Sequence, residues 1–196
     1  MAESVDCVWL AWQSERRDMP QQSNNLSGSG LERLNEMSEP EAHEMLIAVC
    51  GSKQWVDRMI ARRPFASADA LYAAADETWF ALEKQSWLEA FSHHPRIGER
   101  NLARAKFAAT AAQSSKEQSG MAGATEAVRT EFASGNAEYE KKFGHVFLIC
   151  ATGKTGEEML DSLRERTEND AATELRNAAN EQSKIVRIRL GKLVEA

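Results

Sequence analysis

The sequence predicts an all-α protein, a compact single-domain bundle of about eight helices. Three observations carry that prediction. Apolar residues recur at helical spacing in segment after segment. Serine or threonine stands just before most of these segments, in position to cap them. No alternation of strands with helices marks a parallel sheet, and no internal repeat is visible. The chain has 196 residues, 42% hydrophobic and 28% charged, enough for one domain with a real core.

The elements follow in order. Residues 17–30, RDMPQQSNNLSGSG, are polar and rich in Ser, Asn, Gln and Gly. Residues 1–30 therefore read as a flexible tail and linker, and residues 31–196 as the folded domain. Ser38-Glu-Pro-Glu41 has the form of a capping box, with proline in the tolerant first turn, and opens AHEMLIAVC. Ser52 is placed to cap KQWVDRMIARR, which Pro64 ends. Ser67 is placed to cap ADALYAAADETWFAL, where Leu71, Ala75, Thr78, Trp79 and Leu82 recur on one face. A shorter helix over residues 84–91 buries Trp87, Leu88 and Phe91. Ser114 or Ser115 starts a long helical stretch toward Lys142, with a break signalled near Gly120 and Gly123. Gly144 stops it. HVFLIC has a strand's composition but no partner strand, so a buried turn or short helix is expected. Thr155-Gly-Glu-Glu158 is another capping box, and the last helix runs over about residues 171–194.

Composition excludes several classes of function. The net charge is −6, the wrong sign for neutralising phosphates, so no nucleic-acid partner is expected. No run of about 18 apolar residues is present, so no membrane span is expected. The 3 cysteines lie far apart without CxxC spacing, which suggests neither a disulfide framework nor a zinc site. The N-terminus is interrupted by charge too early for a secretory signal. The chain ends in LVEA and not in a peroxisomal tripeptide, so a cytoplasmic location is expected.

Three places carry chemistry. In FSHHPRIGER, Pro95 forces His94 away from helical geometry, at the mouth of a turn. A backbone-locked imidazole suits acid–base work near neutral pH. The plain alternative is a solvated loop. Adjacent histidines point in divergent directions, which disfavours a metal site. In SSKEQ, Ser114, Glu117 and Gln118 fall on one helix face and can present a hydroxyl, a carboxylate and an amide to a polar ligand. The same spacing is also that of an ordinary helix start. On the last helix an apolar stripe runs through Leu175, Ala179, Val186, Leu190 and Leu193. Arg189 lies roughly 60° from its centre and Arg187 roughly 100° on the other side, so Arg189 is the better placed to reach inward. It can snorkel at the core edge or clamp a carboxylate. The run RERTEND reads as a solvated face, and Asn136, Tyr139 and Phe143 as helix packing.

Taken in order, WLEAFSHHPRIGE, SSKEQSG, NAEYEKKFGHVFLICATGKTGEEML, LRERTEN and KIVRIRL resemble the 2-oxo-4-hydroxy-4-carboxy-5-ureidoimidazoline (OHCU) decarboxylases of uric acid degradation. The likeness runs over about residues 42–193, and is especially close to the plant forms, in which this domain is fused to a transthyretin-like hydrolase. The resemblance implies cofactor-independent decarboxylation of a small ureidoimidazoline to (S)-allantoin, by a homodimer with no metal. It places the catalytic groups on His94, Glu117 and Arg189. It places substrate contacts on Pro95, Ser114, Gln118, Phe147 and Ile149, the last two through the backbone of their segment. The competing expectation is a non-catalytic helical interaction module on the same scaffold, in which His94, Glu117 and Arg189 are scattered and solvated.

Overall fold

The computed structural model of the chain describes residues 29–97 and 119–195. Among these residues it forms eight α-helices and no strand. They are α1 (Gly30–Glu36), α2 (Glu39–Cys50), α3 (Lys53–Ala61), α4 (Ala68–Phe80), α5 (Lys84–Ser92), α6 (Glu126–Phe143), α7 (Gly156–Thr167) and α8 (Ala171–Glu195), with a 3-10 turn at Ser119–Gly123 before α6. No described helix is long and apolar enough to cross a membrane.

Side-chain caps set most of the starts, because the first N–H groups of a helix have no intrahelical acceptor. Ser38 and Glu41 form the expected box, with the Ser38 N–H donating to Glu41 Oε2 at 3.0 Å. Ser67 Oγ accepts from the Ala70 N–H at 3.1 Å. Thr155 and Glu158 cap α7 reciprocally. The break expected near Gly120 and Gly123 is present: Ser119–Gly123 forms the 3-10 turn, and α6 begins afresh at Glu126 with Thr125 as its cap and runs to Phe143, while a start at Ser114 or Ser115 lies outside the described residues. Thr125 can stop the preceding turn because its hydroxyl accepts from the Val128 N–H and so opens a new helix.

Two apolar clusters form the core. The first gathers side chains of α1 to α5 and α8 around Trp55, Trp79, Trp87 and Phe91. Each buried indole N–H there has an acceptor: Trp55 on the Ala75 carbonyl at 3.1 Å, Trp79 on Ala179 at 2.8 Å and Trp87 on Trp79 at 2.9 Å. The second gathers Met121, Phe132, Tyr139, Met159 and Leu163 between α6 and α7. The HVFLIC segment runs between them. Leu148 belongs to the first cluster, and Val146 and Cys150 pack against it. Phe147, Ile149 and Ala151 belong to the second. This two-residue alternation is that of extended chain, so the expected turn or short helix is corrected to a ribbon buried on both faces.

Trp79 is 1% exposed and Phe80 beside it 40%. Trp79→Ala is expected to lower unfolding free energy by about 3–5 kcal/mol, and Phe80→Ala by about 0.5 kcal/mol or less, in urea titrations.

Candidate active site

The site begins where α5 ends. The helix stops at Ser92, and the His94 N–H closes the last turn on the Phe91 carbonyl at 3.1 Å. Pro95 then carries the chain out of helical geometry. His94, Pro95 and Ile97 line a small concavity, part of it open to solvent. The buried ribbon supplies the facing wall through Phe147, Ile149 and Ala151, and α8 supplies Ile185 and Ile188. Four of the residues singled out in the sequence, His94, Pro95, Phe147 and Ile149, thus share one concavity. Glu117, Ser114 and Gln118 lie outside the described residues.

Arg189 is 3% exposed, while Arg187 is exposed and pairs with Asp76 at 3.3 Å. The inward guanidinium lies beside His94. It is not part of the pocket lining. Its Nη1 donates to the Val49 carbonyl at 3.2 Å and the Ala48 carbonyl at 3.4 Å. These carbonyls end α2, where no intrahelical donor reaches them and a positive charge is favoured. Gln182, also on α8, donates from Nε2 to the Cys50 carbonyl at 3.0 Å.

The same helix end turns sharply at Gly51, whose φ of 84° favours glycine. A Cβ at Gly51 would meet His93 Cβ at 2.9 Å and the Ala90 carbonyl at 3.3 Å. The end of α2 and the His93–His94 turn are therefore in direct contact.

His94 is held neutral. Burial, the Arg189 charge and the neighbouring His93 push its pKa down to about 3, and among the described residues the Gln182 amide acts the other way. Cys50, beneath the turn, stays a thiol, since burial pushes it up to about 12. Among the described residues no group of three or more His, Cys, Asp or Glu side chains could hold a metal ion.

The ribbon wall is anchored from outside the pocket. Arg166 Nη1 donates to the Leu148 carbonyl at 2.7 Å, and Glu181 Oε2 accepts the Cys150 N–H at 2.7 Å. The Arg166 guanidinium also lies 4.7 Å from the centre of the Phe147 ring. Arg166 is paired with Glu174, which is 0% exposed. The Tyr139 hydroxyl donates to Glu174 Oε1, and Asn169 Nδ2 to Oε2 at 2.8 Å. Burial would raise the Glu174 carboxyl, but Arg166, Tyr139 and Asn169 outweigh it and hold it below its ordinary value. The reading of RERTEND as a solvated face is thus corrected at Arg166 and Asn169, and Tyr139 does more than pack.

Arg96 forms a two-pronged pair with Glu140, both contacts 2.6 Å, tying the His94 loop to α6. Asn136 adds a longer bond to the Ile97 carbonyl at 3.4 Å. Glu174, Gln182 and Arg166 had no individual sequence signal. The one available clue was that Glu174, Ala178, Gln182, Val186 and Arg189 recur at three- or four-residue intervals along one face.

The OHCU decarboxylase family matches residues 35–191 of this chain. The chain belongs to the OHCU decarboxylase family. Among relatives of this family, the OHCU decarboxylase of Amia calva is 34% identical over 138 residues, 68% of this chain and 75% of that protein. The uric acid degradation bifunctional protein TTL of Arabidopsis thaliana is 38% identical over 144 residues, 74% of this chain. The alignment spans only 44% of that bifunctional protein. A crystal structure of an OHCU decarboxylase in the presence of (S)-allantoin superposes with a TM-score of 0.65 at 33% identity, covering 78% of this chain and 99% of that one.

Glu174→Ala leaves the Arg166 charge buried without its partner and is expected to cost about 3–5 kcal/mol at pH 7 in urea titrations. The carboxyl is held below its ordinary value of 4.5, so this stabilisation is present above that pH and is lost as pH falls through the lowered value. The gap between wild type and variant is therefore expected to narrow at pH 3.

Proposed function

We propose that this chain decarboxylates OHCU to (S)-allantoin, a step in uric acid degradation, with His94 as its acid–base group. The observation that carries the reading is a neutral imidazole, set by Pro95 at the mouth of a concave site, in a chain of this family. The assignment of the bifunctional and free-standing relatives supports it, as does the (S)-allantoin named with the solved relative.

The chemistry needs little machinery. The carbon that loses carbon dioxide bears a hydroxyl and stands next to a ring imine. When its bond to the carboxylate breaks, the electron pair moves into the ring and the imine nitrogen accepts it. The hydroxyl then gives up its proton to become a carbonyl, and the ureido-bearing carbon gains one. Net, one proton is taken up where carbon dioxide departs. No electron acceptor other than the ring is required, so we propose a cofactor-independent reaction. A neutral His94 can accept the hydroxyl proton first and return it to carbon. Delivery from one wall of the pocket sets the hand of the product.

In this reading Arg189 contributes positive potential behind His94 and steadies the anionic substrate. Its hydrogen bonds to the end of α2 limit how tightly it can grip the departing carboxylate, which suits catalysis, since a strong grip would stabilise the ground state. Glu117 orients the ureido N–H groups, and Ser114 and Gln118 fix the ring by hydrogen bonds. Phe147 and Ile149, with Pro95, close the ring in and exclude water. We further propose that residues 31–196 are the catalytic domain and residues 1–30 a tail, and that the protein acts as a cytoplasmic homodimer.

The test generates OHCU in place from urate and follows circular dichroism of the product. One allantoin enantiomer is expected to appear faster than by spontaneous decay. His94→Asn should lower the rate by about 10²- to 10⁴-fold with an unchanged far-UV spectrum. Spontaneous-decay kinetics with folded wild-type protein would sink the proposal and favour the non-catalytic interaction module. Because the His94 pKa is lowered, its neutral form contributes stability above pH 6.5 that is lost as pH falls toward about 3. His94→Asn is therefore also expected to flatten the decline of stability over that window.

A further inference from the structure

Gln182 is a fully enclosed amide in the middle of α8, at 0% exposure. Apolar packing does not explain it, and the chemistry above does not use it. Its two ends are chemically different, one a donor and the other an acceptor. The donor end is committed, because Nε2 bonds the Cys50 carbonyl at the end of α2. That carbonyl can only accept, so turning the amide over would set two oxygens against each other. The end of α2 therefore fixes which way the amide faces. The acceptor end, Oε1, is shut off from solvent, and no described group other than the His94 ring is left to serve it. The group that stands against this amide is the His94 ring, at the edge of the pocket.

We propose that Gln182 is the positioning residue for His94: Oε1 is the acceptor for the N–H of one imidazole nitrogen, which leaves the lone pair of the other nitrogen facing the pocket. The proposal deepens, and rests on, the reading of His94 as the acid–base group. A neutral imidazole carries its single proton on either nitrogen, and an oxygen fixed beside one of them selects the form protonated there. The pocket-facing nitrogen is then the one that can take the substrate's hydroxyl proton. Gln182 exchanges no proton in that step. It accepts the same N–H before and after, and more strongly once the ring is charged. Among the described residues, Arg189 on α8 and His93 in the same turn both oppose a charge on His94. Gln182 is the described group that favours it, so it also keeps the protonated ring within reach during turnover.

Nitrogen-15 NMR of the histidine rings tests this directly, and the 4 histidines of the chain make assignment through His94→Asn simple. Wild type at pH 7 is expected to show His94 as one fixed neutral tautomer. Gln182→Met removes both ends of the amide at similar volume. In that variant the His94 signals should move to the average of two exchanging tautomers, and kcat should fall by about tenfold or more with KM nearly unchanged. Gln182→Glu restores an acceptor, so one tautomer should return, with the His94 titration moved upward. If Gln182 served only to cap α2, both variants would weaken the fold alike and leave the tautomer and titration of His94 as in wild type. That result overturns the proposal. So does a wild-type spectrum with exchanging tautomers or a charged ring at pH 7, which needs no variant at all. A fixed tautomer that Gln182→Met releases, in a protein without decarboxylase activity, would instead overturn the functional reading and leave the positioning role standing.

Discussion

The interior end of α2 is the constraint on which the site depends. A helix leaves its last carbonyls without donors, and here they are buried where water cannot serve them. Gly51 satisfies the Ile47 carbonyl through its own N–H, leaving Ala48, Val49 and Cys50. All three are met from α8, by Arg189 and Gln182. These three bonds fix the rotation and depth of α8 against the first core. They also bring a charge and an amide beside the turn that carries His94. The helix end, the charge and the imidazole form one arrangement, so a change to any of them reaches the others.

The second half of the molecule is tied to the first by a different polar group. Arg166 and Glu174 join α7 to α8, and Tyr139 brings in α6. Taking such a pair out of water is costly, and additional hydrogen bonds offset the cost. Here the offset comes from Tyr139, Asn169 and the Leu148 carbonyl. The last of these bonds turns a helix-to-helix link into support for the pocket wall. The same device recurs elsewhere, where half-buried Arg63 meets the Leu34 and Met37 carbonyls at the end of α1, and exposed Lys142 meets the Thr167 carbonyl at the end of α7.

The helices were largely legible because their causes are local. Ser38, Ser52, Ser67 and Thr155 stand three residues from the N–H groups or carboxylates they engage, and such spacing can be read along a line. His94 and Pro95 were legible for the same reason, since proline acts on the residue before it. Helical angle alone separated Arg189 from Arg187. Gln182 and Glu174 were not legible as individuals. Gln182 finds its partner 132 residues away, and in sequence it is one more polar residue in a polar turn. The apolar stripe drawn through Leu175 and Ala179 caught the core edge but missed that Glu174 and Gln182 are themselves inside. The HVFLIC segment misled in another way. Its composition asked for a strand, and the absence of a partner strand argued for a turn. Side chains of α7 and α8 took the place of the missing partner.

That substitution has a consequence for how such a pocket can diversify over time. In a sheet, a wall residue and its neighbours share a ladder, so altering one strand's shape disturbs pairing along its length. Here the described anchors of the ribbon, Arg166 and Glu181, bind main-chain groups, the Leu148 carbonyl and the Cys150 N–H, while Phe147, Leu148, Ile149 and Ala151 line the cavity. Holding falls on the main chain, so it does not depend on which side chains stand in the wall. Inheritance can exchange the cavity-facing set one position at a time while the anchors stay, which lets a helical scaffold of this kind explore neighbouring small-molecule ligands without refounding its fold.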